Sequence, residues 1–134
     1  IVICGGGLPK RYDKFSDKRA EGIHYLGFVE DIENYVLAAD LILNPVNAGG
    51  GVKTKLVEAV ALGKTVVSTA SGALGVDADA YGPKLIIVPD TDWDTFARAV
   101  QKALANANQA TPSSFYAEHY GTSAVEAILS RMKQ

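Results

Sequence analysis

A glycine-rich turn leads directly into a helical pattern in the stretch GGGVKTKLVEAVALGKTVVST, residues 49–69. Gly49, Gly50 and Gly51 carry no side chain, so the backbone at these positions can come close to a ligand. The first amides of the helix that follows have no partner inside the helix, and the positive end of the helix dipole lies beside them. Both features favour an anion, and the spacing predicts a phosphate site at this turn.

Three charged side chains accompany the turn. For a helix that begins near Val52, Lys53 and Lys55 fall in the first turn, where the dipole disfavours positive charge unless an anion compensates it. Thr54, Lys55 and Glu58 share one face at three- and four-residue spacing. A second face is apolar and would pack on a sheet, and it contains Val52, Leu56, Ala59, Val60 and Gly63. Glu58 could then bind a hydroxyl-bearing group one turn beyond the phosphate. The alternative is an ordinary surface pair of Lys55 with Glu58, worth about 0.2–0.5 kcal/mol.

These residues carry a family resemblance. Together with the preceding IHYLGFVEDIENYVLAADLILNP, the glycine turn and its helix resemble the nucleotide-binding half of retaining glycosyltransferases of family 4, which have the two-domain GT-B fold. The similarity covers about residues 1–105 and depends on an ordered set of separated points. These points are Gly27, Asp40, Pro45, the three glycines, Glu58-Ala59, Gly63 and Val66-Val67.

The resemblance implies a role for each part of the segment. The turn amides would face the donor sugar and diphosphate, Glu58 would hold the ribose hydroxyls, and the backbone after the second strand would contact the base. The implied donor site comprises Phe28, Val29, Gly49, Gly50, Gly51, Val52, Lys53, Lys55 and Glu58. Enzymes of this fold generally work without a metal, and no histidine has a second ligand at metal-binding spacing, so we expect neither a metal nor a cofactor. No catalytic group can be assigned.

The chain departs from the family pattern at two positions. The commoner motif has two glutamates separated by seven residues, and Gly50 occupies the place of the first, so one side-chain contact to the donor sugar is missing. A subgroup with the form G-S-G-T-R-L-K resembles the GGGVKTK found here, and the change need not abolish activity. The second departure is Thr65, where proline is usual.

Short apolar runs alternate with helical periods, which predicts parallel βαβ units and an α/β fold. Thr91 and Asp94 resemble a capping box for the last long helix, whose predicted apolar face holds Trp93, Phe96, Ala97, Val100 and Leu104. A polar linker at 106–112 precedes a helical tail with a second capping box at Ser123 and Glu126. We predict strands at residues 1–4, 24–27, 41–44, 65–68 and 85–88, and helices at 32–39, 52–62, 92–106 and 113–119.

By the resemblance, the chain begins at the second strand of a Rossmann-like parallel sheet with helices on both faces. The first strand, which is central in the order 3-2-1-4-5-6, would be missing. We expect the strands beside the gap to pair directly, with a second copy of the chain filling the gap as the alternative, and nucleotide affinity to be about millimolar because phosphate contacts are lost. The predicted domains are a donor-nucleotide-binding domain at 1–106 and a C-terminal helical tail at 107–134.

Composition restricts the class of protein. The 134 residues are 48% hydrophobic, which suits a single core, and the net charge of −2 with dispersed lysines and arginines argues against a nucleic-acid partner. The single cysteine, Cys4, cannot form an internal disulfide, and no run is long and apolar enough to span a bilayer, so we expect a cytoplasmic protein. The oligomeric state cannot be inferred.

The predicted function is the donor half of a glycosyltransferase that binds a UDP- or GDP-type sugar and is inactive without an N-terminal acceptor domain. The expected partners are the nucleotide-sugar donor and that domain. This prediction is compatible with an acceptor held at a membrane. Two alternatives stay open. One is a nucleotide-sugar-binding module without transferase activity, and the other is a fragment of a sugar-nucleotide epimerase, which shares the fold.

Overall fold

The computed structural model describes residues 1–7, 21–105 and 109–120, and the chain divides into two compact units, Ile1–Tyr35 and Val36–Gln134. The first unit contains two strands, and a helix begins near its end: β1 (Val2–Cys4), β2 (His24–Gly27) and α1 (Ile32–Ala38). The described residues of the second unit form three strands and four helices, with a 3-10 turn (Gly82–Lys84) before the last strand: β3 (Ile42–Asn44), α2 (Thr54–Ala61), β4 (Val66–Thr69), α3 (Ala78–Tyr81), β5 (Leu85–Val88), α4 (Trp93–Ala105) and α5 (Ser113–Tyr120).

The five predicted strands are all present, and every pairing among them is parallel. β1 pairs with β2, while β3, β4 and β5 form a second sheet in that order. In the described residues a helix lies between β2 and β3, between β3 and β4, and between β4 and β5, so the α/β prediction is confirmed. β1 and β3, the strands on the two sides of the expected gap, belong to different units, so their direct pairing stays a prediction.

The second unit has a hydrophobic layer on each face of its sheet, because successive strand residues point to opposite faces. Val66 of β4 faces α2, and the neighbouring Val67 faces α4; both are fully buried. The layer on the α2 side includes Leu56, Ala59, Val60, Leu85 and Phe115, and the layer on the α4 side includes Val88, Phe96 and Ala103. Helices therefore cover both faces of this sheet.

Two helices differ from their sequence patterns. α2 begins at Thr54, so Val52 and Lys53 precede it, and the expectation that Val52 lies on the packed helical face is wrong. In α4 the buried residues are Phe96 and Ala103, whereas Trp93 and Leu104 are half exposed. The capping box of Thr91 with Asp94 is also wrong, because the Asp92 carboxylate accepts the Thr95 amide at 3.0 Å. This cap fixes where the helix begins, and packing against β4 and β5 determines which of its side chains are buried.

The C-terminal segment packs on the second unit through α5. Phe115 is fully buried and lies edge-on to the ring of Tyr81, with 4.9 Å between the ring centroids. Thr111, inside the predicted linker, donates its hydroxyl to the Val60 carbonyl at 3.0 Å. The second predicted tail helix, with Ser123 and Glu126, lies outside the described residues, and the domain boundary at residue 106 stays a prediction.

Side chains from distant parts of the sequence bind carbonyl groups at the end of α2 and in the turn just after it. Besides the bond from Thr111, the Tyr116 hydroxyl donates to the Ala61 carbonyl at 3.1 Å, and the Lys84 ammonium donates to the Gly63 carbonyl at 2.7 Å. Lys84 is 1% exposed, and burial, followed by the charge of Lys64, lowers its pKa.

None of the helices in the described ranges is both long enough and apolar enough to cross a membrane.

Candidate functional site

The glycine turn ends at a helix start that no side chain caps. Lys53 is the residue before the helix, in an extended conformation, and its carbonyl accepts the amides of Leu56 at 2.9 Å and Val57 at 3.4 Å. Thr54 and Lys55, the first two helical residues, are exposed. An uncapped and exposed helix start presents amide groups and the positive end of the dipole to solvent, which is the arrangement that binds anions.

The three glycines of the turn have different geometries. Gly49 has a φ of +110° and Gly51 a φ of +77°, values that side-chain-bearing residues rarely adopt. Gly50 lies outside this region, and a Cβ atom built on it would meet nothing within 4 Å. The backbone shape therefore requires glycine at positions 49 and 51. At position 50 the absence of a side chain leaves the space beside the turn open.

Lys53 folds back over the turn. Its ammonium donates to the carbonyls of Gly50 at 3.1 Å and Gly51 at 3.3 Å. These are ordinary exposed hydrogen bonds, so a diphosphate could exchange for them without uncovering a buried charge. The arrangement keeps one positive charge beside the turn.

Lys55 and Glu58 lie exposed on α2, beyond the turn. Among the described residues neither has an ion-pair partner, so the surface pair proposed as the alternative is not formed. The apolar side of the same helix is buried through Leu56, Ala59 and Val60, as its periodicity predicts. Burial of that side directs Glu58 away from the sheet.

The predicted site residues are divided between the two units. The glycine turn, Val52, Lys53, Lys55 and Glu58 are all in the second unit, on the turn and the first two turns of α2. Phe28 and Val29 belong to the first unit, directly after Gly27 at the end of β2. Phe28 is 80% exposed.

Sequence reasoning missed a polar cluster at the carboxyl ends of β3 and β4. The Asn44 side-chain amide donates to the Ser68 hydroxyl and to the Gly72 carbonyl, each at 3.0 Å. The Thr69 hydroxyl donates to the Val46 carbonyl and accepts the Gly72 amide at 3.2 Å. Polar residues at the carboxyl end of buried parallel strands are the signal that could have found the cluster, because open α/β sheets bind ligands at that edge.

A second missed contact lies at the end of β5. Ser71 donates its hydroxyl to Asp90 Oδ2 at 2.6 Å and its amide to Oδ1 at 2.9 Å. The hydroxyl bond and then the amide bond hold the pKa of Asp90 below its usual range. Asp90 therefore fixes the loop after β4. Within the described ranges no three acidic, histidine or cysteine side chains group as metal ligands.

Comparisons with known proteins place this geometry in context. The family model described as glycosyl transferases group 1 matches residues 1–106. A search of curated proteins gave no significant match. Several solved structures are similar, although this chain spans only 36–40% of the length of the chains described next.

Two of these structures are HepE from Anabaena. Its complex with UDP has a TM-score of 0.68 and 18% identity, covering 96% of this chain and 40% of that one. Its complex with UDP-glucose has a TM-score of 0.68 and 17% identity, with the same coverage. WaaG, a glycosyltransferase involved in lipopolysaccharide biosynthesis, has a TM-score of 0.67 and 24% identity, covering 95% of this chain and 36% of that one.

At these identities the likeness shows the fold, a set of parallel strands flanked by helices that matches the Rossmann-like C-terminal domain of GT-B proteins. The family model covers 106 of the 134 residues. This chain belongs to the glycosyl transferases group 1 family.

Proposed function

We propose that this chain is the donor-binding half of a retaining glycosyltransferase of family 4, and that it binds a nucleoside diphosphate sugar of the UDP or GDP type. The observation that carries the proposal is the uncapped start of α2 behind a glycine turn, followed one turn later by Glu58, which has no ion-pair partner among the described residues. In a chain of this family, that arrangement offers amides to a diphosphate and a carboxylate to ribose hydroxyls.

The chemistry follows from charge. As the sugar leaves, negative charge grows on the diphosphate, and fixed amide dipoles together with Lys53 and Lys55 stabilise it. Glu58 orients the nucleoside by accepting hydrogen bonds from the ribose. Nothing in this mechanism requires a metal or a cofactor, and the catalytic group that acts on the acceptor is not assigned.

The remaining parts of the proposal concern the nucleotide, the base contact, the acceptor and the domains. The HepE complexes contain UDP and UDP-glucose, which favours a UDP-type donor. The backbone at Phe28 and Val29 would contact the base, as the family resemblance implies. The acceptor would bind to an N-terminal domain of a longer enzyme, consistent with the partial coverage of HepE and WaaG. We further propose a donor-binding domain at 1–106, a helical tail at 107–134 and a cytoplasmic location.

Glu58→Gln tests the ribose contact. The substitution removes the charge but keeps the shape, and we expect UDP binding to weaken by about 1–3 kcal/mol, the range for a lost charge-assisted hydrogen bond. The free energy of unfolding should change by less than about 0.5 kcal/mol, because Glu58 is exposed and has no ion-pair partner among the described residues. NMR titration with UDP and urea unfolding measure the two quantities.

Glu33→Gln is the matched control, because Glu33 is an exposed glutamate on another helix. Equal UDP affinity in the Glu58 variant, the control and the parent would remove Glu58 from the site. If the parent bound neither UDP nor GDP, the donor-binding proposal itself would be wrong.

A further inference from the structure

The hydroxyl of Thr69, the last residue of β4, joins two segments that are far apart in the sequence. It donates to the Val46 carbonyl, three residues before the glycine turn, and accepts the Gly72 amide from the loop after β4. Thr69 is 1% exposed, so these bonds are shielded from water. A hydrogen bond in such a place holds its partners more firmly than one at the surface.

A second contact joins the same two segments at the far end of the turn. A Cβ atom built on Gly75 would lie 3.0 Å from Val52 Cγ2 and 3.6 Å from the Val52 amide nitrogen. The loop after β4 therefore touches Val52, immediately after the last glycine of the turn. Residues 47–51 are held at one end through Val46 and at the other through Val52.

We propose that Thr69 is a positioning residue for the donor site. Its hydroxyl sets the path of residues 47–51 and hence the directions of the amides at Gly49, Gly50 and Gly51. A diphosphate bound by backbone amides depends on this path, because groups displaced by about 1 Å lose most of their effect. The ligand part of this inference rests on the proposed function, whereas the conformational part concerns the free chain alone.

The test compares Thr69→Val, which removes the hydroxyl and keeps the shape, with Thr69→Ser, which keeps the hydroxyl. In the valine variant we expect the NMR amide signals of Gly49–Gly51 to shift without ligand, and UDP affinity to fall about five- to tenfold, as for one lost hydrogen bond. The serine variant should restore both. Ser68→Ala is the control, because the hydroxyl of this buried neighbour bonds Asn44 and the Thr69 carbonyl rather than Val46.

Three results separate the explanations. Unmoved Gly49–Gly51 signals in Thr69→Val would overturn the inference, as would equal shifts of these signals in Ser68→Ala, which would show a general loss of stability. If the parent bound no UDP, the proposed function would fail, while the shift in the free chain would still decide the conformational part.

Gly75→Ala supplies a second variant in case Thr69→Val does not fold. It places a Cβ 3.0 Å from Val52 Cγ2 and also strains the loop, because Gly75 has a φ of +87°, and we expect the same three amide signals to move. Signals that stay in place would contradict the anchoring of the turn by the loop after β4.

Discussion

At the scale of single residues, Gly50 and Gly51 of the glycine turn are required for different reasons. Gly51 needs its positive φ, and any side chain there would strain the backbone whether or not a ligand binds. Gly50 has ordinary backbone geometry and open space around its Cβ direction. A substitution at position 50 should therefore affect ligand binding alone. A substitution at position 51 should affect both ligand binding and the stability of the turn.

Gly50→Val should leave the free energy of unfolding within about 0.5 kcal/mol of the parent and abolish UDP binding, because the side chain occupies the space that a diphosphate would need. Gly51→Val should lose binding and also destabilise the chain by about 1–3 kcal/mol through backbone strain. Urea unfolding and NMR titration with UDP distinguish the two variants. Normal UDP binding by Gly50→Val would contradict the anion site at this turn.

Tyr81 makes stability depend on pH in the alkaline range. The ring is fully buried, its hydroxyl lies 2.8 Å from His119 Nε2, and burial, followed by the charges of Glu118 and Tyr120, raises its pKa to about 12. The unfolded chain loses this proton near pH 10, while the folded chain keeps it. The stabilisation is therefore fully present below pH 10 and is lost between pH 10 and about 12.

The free energy of unfolding should accordingly fall by about 2 kcal/mol more in the parent than in Tyr81→Phe between pH 10 and 12. Urea unfolding at a series of pH values measures this difference. Tyr35→Phe, at a half-exposed position on α1, serves as the control and should follow the parent. If the free energy of unfolding fell with pH by the same amount in Tyr81→Phe and in the parent, Tyr81 would be excluded as the source of the alkaline loss of stability.

At the scale of elements, α2 is supported at its two ends by different means. Its start is uncapped and exposed, whereas side chains of Lys84, Thr111 and Tyr116 bind carbonyls near its end. The end is thus fixed by residues remote in sequence, and the start is left available for a ligand. α5 contributes to this support, because Phe115 anchors it in the layer that α2 also lines.

Phe115→Ala should destabilise the second unit by about 3–5 kcal/mol, the usual cost of removing a fully buried aromatic ring. Urea unfolding measures the loss. Tyr120→Ala, on the same helix but 61% exposed, should cost less than about 1 kcal/mol. A small effect at Phe115 would show that α5 is not part of this core.

The sequence predicted the positions of the strands and the buried side of α2, because both follow local periodicity. It did not predict the start of α2 or the buried face of α4. The turn continues to Val52, which contacts the loop at Gly75, and the phase of α4 depends on the Asp92 cap and on contacts with β4 and β5. The contact at Gly75 and the packing of α4 on β4 and β5 are tertiary contacts that no local pattern contains, whereas the Asp92 cap is a local hydrogen bond that the sequence analysis assigned to the wrong residue. Glu58 and the glycines stand in one continuous segment and could be named in advance. Thr69 and Asn44 could be suspected from their places at the ends of buried strands, but their hydrogen bonds depend on the folded loop after β4.

At the scale of the whole molecule, burial is distributed unevenly. Every buried residue in the described ranges belongs to the second unit, and none belongs to the first. Local stability follows the amount of buried apolar surface, so the two units should open at different free energies.

Hydrogen exchange should therefore be faster at the amides of Ile3 and Tyr25, in β1 and β2, than at those of Val66 and Val67, in β4. The difference arises because the strands of the first unit contain no buried side chain, whereas β4 is buried throughout. Exchange followed by NMR at a fixed pH measures both sets. Equal protection would show that the chain opens as one cooperative body.

Gly72 limits how this molecule can change by mutation. Every other amino acid has a Cβ atom, and at this position that atom would lie 2.6 Å from Ser68 Oγ, 2.7 Å from Asn44 Nδ2 and 2.9 Å from the Asn44 backbone oxygen. Shortening the two side chains would relieve only the first two contacts. Any other residue at position 72 is thus tolerated only if the end of β3 also moves. A single substitution cannot supply that movement, so we expect Gly72 to stay unchanged while the surrounding sequence diverges.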